Sequence, residues 1–184
     1  MTSRDPELDL RLAEFHLVSG ARQEGALHLA HDDLDERRST VWLREKFGKE
    51  REQPISLSLI AKLKAHARRR GARHGRDAVF RTARGRPITR RHYDTLFRHV
   101  QEALPWSVRT PVTAHVLRYT AAAAVERISG SEAVAEAFLG HAPQSVTGTY
   151  TRGRLGEVAA AVALITGEPH PLAEPTGRFD HAGA

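Results

Sequence analysis

The chain has 184 residues, 40% hydrophobic and 27% charged, with a formal net charge of +6 and no Cys. That length suits one domain with a real core, and the basic balance favours a polyanionic partner. The composition excludes disulfides, thiolate chemistry and Cys-ligated zinc, no stretch approaches the roughly 18 apolar residues of a membrane span, and the N-terminus lacks the apolar core of a secretory signal.

The cytoplasm is therefore the expected location. Most of the positive charge is Arg rather than Lys. That fits bidentate phosphate contacts, and it fits a GC-rich coding sequence equally well.

Asp5-Pro6 opens the first predicted helix, because Pro suits a first turn. Leu8, Leu10, Leu12, Phe15, Leu17 and Val18 give it a mostly helical apolar pattern, and Gly20 ends it. A second short helix is expected from Gln23 to His31. Thr40–Arg44 and Glu52–Ile55 read as strands around a charged turn at Gly48, which makes a β-hairpin. Pro54 puts the second strand at a sheet edge or near its own end. Ser56 is a plausible N-cap for a helix to Arg70, with Leu59, Ile60, Leu63 and Ala67 inward.

Residues 72–77 form a basic loop, Val79-Phe80 a short strand and Gly85-Arg86-Pro87 a turn. Helices follow behind Thr89 (to about Leu104), Thr113 and Ser131 (Glu132 to Leu139). Arg154–Ile165 is an Ala-rich helix, and residues 167–184 read as a flexible Pro/Gly tail. There is no internal repeat. The fold class is mainly α with a small antiparallel β-sheet (α+β).

The chemistry-bearing residues begin with His115-x-x-Arg118. On a helix these are i and i+3 and share a face. Alone, such a pair is ordinarily a solvated polar surface. Here His141 follows 23 residues after Arg118, Tyr150 follows 9 after His141, and Arg22 and Lys46 lie upstream. The set supplies what a metal-free phosphodiester transfer needs: guanidiniums for a phosphate, a phenol nucleophile and groups that move protons.

The segments Ser19-Gly-Ala-Arg22, Lys46-Phe-Gly-Lys-Glu-Arg51, Ala114-His-Val-Leu-Arg-Tyr119, Leu139-Gly-His141 and Gly148-Thr-Tyr150 resemble, in order and spacing, the tyrosine recombinase (phage integrase) family. The resemblance runs from roughly Asp5 to Ile165. It implies a catalytic domain over residues 1–166, followed by the tail at 167–184. It also implies that Arg22 and Arg118 grip the scissile phosphate and that Tyr150 attacks it. His115 would take the phenol proton. Lys46 would donate a proton to the leaving 5′-oxygen, with Lys49 the fallback. His141 would hydrogen-bond a non-bridging oxygen. The product would be a 3′-phosphotyrosyl link and a free 5′-hydroxyl, with no cofactor, metal or ATP.

The chain departs from the family in three places. Gly25 stands three residues past the first Arg, where the family usually has an acid. Glu24 is one position earlier, about 100° around a helix, and is not an automatic substitute. Tyr119 stands where many members have His. The chain also begins just upstream of Arg22, which leads one to expect that the N-terminal helical DNA-clamping domain is absent.

Double-stranded DNA is the implied partner, with a tetramer on DNA and a monomer when free, and no membrane role. Arg86, Arg90, Arg91 and His92 are candidate DNA contacts. The run from Arg68-Arg69-Arg70 through Arg76 reads as a solvated face or as a phosphate contact. The set His28, His31, Asp32 and Asp33 has metal-like residue types in a poor geometry. Val158, Ala161, Val162 and Ile165 form a stripe that either packs on its own core or docks on a neighbouring protomer. Two further readings stay open: a non-catalytic DNA-binding remnant, and a nicking-closing enzyme similar to type IB topoisomerases.

Overall fold

The first helix begins and ends where its end signals stand. The Asp5 side chain accepts from the Leu8 amide at 3.3 Å, and α1 runs Pro6–Ser19 into Gly20, which takes the left-handed conformation. The structure, a computed structural model, describes residues 5–45, 48–141 and 148–173, with residues 148–153 described by their backbone alone. Leu8, Leu12 and Phe15 are fully buried, while Leu10 and Leu17 face outward. A Cβ on Gly20 would lie 2.9 Å from Cζ of the Phe138 ring and closer still to Cε1. The glycine thus lets the end of α1 sit against a later helix.

Helix α2 is Gln23–Leu27, shorter than expected, because His28 leaves helical geometry and the chain enters a single 3₁₀ turn at His31–Asp33. Strands β1 (Leu34–Asp35), β2 (Thr40–Arg44) and β3 (Glu50–Pro54) form an antiparallel sheet in the order β1-β2-β3. The hairpin register pairs Thr40 with Pro54 and Arg44 with Glu50. Strand β3 starts two residues earlier than its apolar pattern suggests, since cross-strand pairing recruits polar residues. Pro54 is both its last residue and on an edge strand, as the missing amide requires.

Helix α3 (Leu57–Arg69) is capped by Ser56, and Leu59, Ile60, Leu63 and Ala67 are fully buried. Val79 and Phe80 are buried but belong to no strand. Only isolated bridges flank them, Ala30 with Ala78 and Arg81 with Pro87. Helix α4 (Arg90–Ala103) has Thr89 at its N-cap, though without a side-chain bond. Helices α5 (Ala114–Ser129) and α6 (Glu132–Phe138) carry the expected side-chain caps from Thr113 and Ser131. Helix α7 is Gly148–Thr166, starting earlier than expected and taking in residue 150.

Two apolar clusters result. One joins α1, α3, α4 and the sheet. The other joins α5, α6 and α7, and Val18 of α1 packs against both. Val158, Ala161 and Val162 are buried in the second cluster and Ile165 packs against it, so the stripe of α7 docks on the chain's own α5 and α6. The candidate site lies where the two clusters meet, at the end of α1.

Candidate phosphate-binding site

Arg22 is the N-cap residue of α2. Arg118 is in the second turn of α5 and is 2% exposed. Nη1 of Arg118 donates to the Gly20 carbonyl and Nη2 donates to the Leu139 carbonyl. One guanidinium therefore joins the end of α1 to the turn after α6. Burial lowers its pKa to about 10 despite the nearby carboxylate, so it stays charged at neutral pH.

His141 closes the group. Its amide donates to the Glu136 carbonyl. Nη2 of Arg22 and Nη2 of Arg118 approach its Nε2 at 3.3 and 3.4 Å. A guanidinium can only donate, so Nε2 accepts and the proton resides on Nδ1, an assignment drawn from this network. Partial burial, and then the charges of Arg118 and Arg22, hold the His141 pKa below the ordinary imidazole value.

His115 shares a cleft of about 510 Å³ with Arg22 and Arg118, walled by Tyr93 and Phe97 of α4 and by Tyr119. The His115 and Tyr119 ring centroids are 4.6 Å apart, inclined at 53°. The i, i+3 spacing thus puts both predicted residues on one cleft. Lys46 lies outside the described residues, and so does the side chain of Tyr150, whose backbone stands in the first turn of α7.

The acid missing at position 25 has a counterpart that the sequence did not disclose. Glu45, at the end of β2, accepts from the Arg22 amide at 2.8 Å and from Arg22 Nη1 at 2.6 Å. Its carboxylate is 3.6 Å from Nη1 of Arg118 and 3.6 Å from Nε of Arg51. Burial pushes this carboxyl up, but Arg51, the Arg22 amide and the Arg118 and Arg22 charges together hold it below the ordinary range. Three guanidiniums around one carboxylate leave the cluster positive, as an anion site needs. Glu24 instead pairs with Arg90.

Arg51 of β3 is the second residue that sequence reading did not single out. It donates to the Phe138 carbonyl at 2.9 Å and to those of Gly20 and Ser19 at 3.4 and 3.5 Å, and burial lowers its pKa to about 10. Nothing in its local sequence marks this role, since it is one of several charges in a polar hairpin.

The candidate DNA contacts lie in the first turn of α4 and the segment before it. Arg86, Arg90 and Arg91 are exposed, and His92 is half-buried with Nε2 3.1 Å from Asp9 Oδ1. Arg70 pairs with Asp5 and Glu7. Asp33 of the metal-like set pairs with Arg44 at 2.7 Å, and among the described residues no group of three or more His, Asp or Glu could hold a metal ion. Nor is any described helix long and apolar enough to cross a membrane.

A profile of the phage integrase family matches residues 2–155. The tyrosine recombinase XerC of Chromobacterium violaceum is 30% identical over 183 residues, 96% of this chain and 58% of that protein. The tyrosine recombinase XerD of Mycobacterium tuberculosis is 31% identical over 155 residues, 80% of this chain and 49% of that protein. The chain thus spans about half the length of the curated relatives it matches. The crystal structure of XerA recombinase superposes with a TM-score of 0.56 at 20% identity, over 83% of this chain and 63% of that one, and supports the fold. With five motif segments in family order, a matching profile over most of its length and the same architecture, the chain belongs to the phage integrase family of tyrosine recombinases.

Proposed function

We propose that this chain is the catalytic domain of a site-specific DNA recombinase that cuts and rejoins DNA through a 3′-phosphotyrosyl intermediate. The observation that carries this reading is the convergence of Arg22, Arg118 and His141 within 3.4 Å contacts on a positively charged cluster. Guanidinium forks match the oxygens of a phosphate whose negative charge grows in the transition state.

In the cleavage step the Tyr150 oxygen bonds to phosphorus and the bond from phosphorus to the 5′-oxygen breaks. The phenol proton passes to His115, and Lys46 supplies a proton to the departing 5′-oxygen. A free phenol has a pKa near 10, so attack must be coupled to proton loss. The phosphodiester bond energy is kept in the tyrosyl ester, and rejoining is the same step reversed, with a 5′-hydroxyl attacking. Neither metal nor ATP enters this balance. The partner is cytoplasmic double-stranded DNA, on which four copies would act together.

The reading as a non-catalytic remnant drew in part on the missing acid at Gly25. Glu45 occupies that role in space, which removes this support. The test is a nicked suicide substrate in EDTA, resolved on a denaturing gel. The wild-type chain should form a covalent band and Tyr150→Phe none, with DNA binding within a few-fold of wild type. A band that survives in Tyr150→Phe refutes the nucleophile.

A further inference from the structure

We infer that Glu45 is a positioning residue for the reaction, relocated from helix to hairpin, and that it ties the Lys46-bearing hairpin to the arginine pair. This inference rests on the recombinase reading for its catalytic consequence, but its geometry stands alone.

Two positions compete for one space. A Cβ added at Gly25 would lie 3.6 Å from Glu45 Cγ, 3.6 Å from Leu43 Cδ2 and 3.7 Å from Ala21 Cβ. These are ordinary contacts, so residue 25 could carry a side chain, but a long one would run into the volume that Glu45 fills. The carboxylate that holds the arginines can come from α2 or from the end of β2, not from both. In this chain it comes from β2, and its side chain is 2% exposed.

The choice of element has a mechanical consequence. An acid on α2 would fix the arginines and leave the hairpin alone. Glu45 directly precedes Lys46 and its amide donates to the Lys49 carbonyl at 2.7 Å, which closes the loop that carries Lys46. The same residue bonds Arg22 at its amide and at its guanidinium. Arg51, on the other arm of the hairpin, reaches the Gly20 and Phe138 carbonyls. One residue thus joins the phosphate grip, through its carboxylate, to the hairpin loop of Lys46, through its amide. Losing Glu45 should weaken both transition-state charge stabilisation and leaving-group protonation.

The test separates these two effects in the full chain. Single-turnover adduct formation is measured on two nicked duplexes, one with the natural 5′-bridging oxygen and one with sulfur there. A thiolate leaves without a proton donor, so the sulfur substrate reports on the arginines alone. Glu45→Gln and Glu45→Gly should lose about 10-fold on sulfur, from weakened charge stabilisation alone, and about 10²-fold on oxygen, where leaving-group protonation is weakened as well. Moving the acid back, in the double variant Gly25→Glu with Glu45→Gly, should restore the sulfur rate and raise the oxygen rate by the same factor, leaving oxygen about 10-fold below wild type.

Wild-type rates in Glu45→Gln, or equal losses on the two substrates, would overturn the inference. A wild-type chain that forms no adduct counts against the recombinase reading, and the side-chain ¹⁵N spectra of Arg22 and Arg118 then decide the role of Glu45. Restrained guanidinium signals should be lost in Glu45→Gly and regained in the double variant. Unchanged signals in Glu45→Gly would overturn the inference.

Discussion

Gly140 is the smallest residue of the Leu139-Gly140-His141 segment, and Gly140→Ala should destabilise the chain well beyond the usual cost of its backbone conformation. Its φ is +65°, and an added Cβ would lie 2.6 Å from Arg51 Cδ and 2.8 Å from Nε. Those atoms are not the free end of a flexible chain. The Arg51 head beyond them is bonded to the Phe138 and Gly20 carbonyls and faces Glu45. Left-handed alanine costs about 1 kcal/mol, and losing a buried hydrogen bond from a charged donor costs a further ~1.5–3 kcal/mol. The sum is about 2.5–4 kcal/mol, a large share of the roughly 5–15 kcal/mol that holds a domain together. Gly130 supplies the control, because its φ is also +65° and, beyond its chain neighbours, nothing among the described residues lies within 4 Å of its added Cβ. Gly130→Ala should cost only the backbone term, about 1 kcal/mol. Urea unfolding of both variants measures the difference. Equal losses at the two positions would refute the reasoning, because they would mean that Arg51 moves aside freely.

Replacing Arg118 with Lys should cost at least about 10²-fold in adduct formation, since one ammonium cannot span the Gly20 and Leu139 carbonyls and a phosphate together; a rate near wild type would remove Arg118 from the clamp. Acid stability should depend on His16, whose Nε2 meets Tyr93 Oη at 2.9 Å and whose pKa burial lowers from 6.5 to about 4. Between those values the unfolded chain binds a proton that the folded chain refuses, so stability falls as pH drops from 6.5 to 4, by on the order of 3 kcal/mol from this group. Urea midpoints across that range should steepen with wild type and flatten with His16→Gln, and an identical slope would exclude His16 as the source. DNA binding should take up a proton at His141, because a phosphate between the arginines brings negative charge to an imidazole whose pKa burial and those arginines hold low. Affinity should therefore rise as pH falls from 7 to 6 in wild type and not in His141→Gln; a pH-independent affinity in wild type would contradict it.

Much of the fold was legible because its signals are local. Asp5-Pro6 and Gly20 bound α1, Ser56, Thr113 and Ser131 cap their helices, and the α3 stripe is buried as its period requires. The misses are where long-range pairing decides. The two residues of β1 have too little pattern to register alone, and Val79-Phe80 bury without a partner strand. The arginines and His141 were legible from order and spacing. Glu45 was not, because an acid in a charged turn reads as solvated. Only the fold brings it under Arg22, 23 residues away. Gly25 was the visible half of the exchange, and it marked a vacancy without naming its occupant.

The most direct measurement is the identity of the residue that carries DNA in the covalent complex. Trapped complex, formed in EDTA on a nicked duplex, is digested with nuclease and trypsin and the modified peptide is sequenced by mass spectrometry. A nucleotide joined through its 3′-phosphate to Tyr150, with a free 5′-hydroxyl on the other strand end, is the predicted result. Attachment at Tyr93, Tyr119 or any other side chain, or a 5′-phosphate on the released end, would contradict the proposed chemistry.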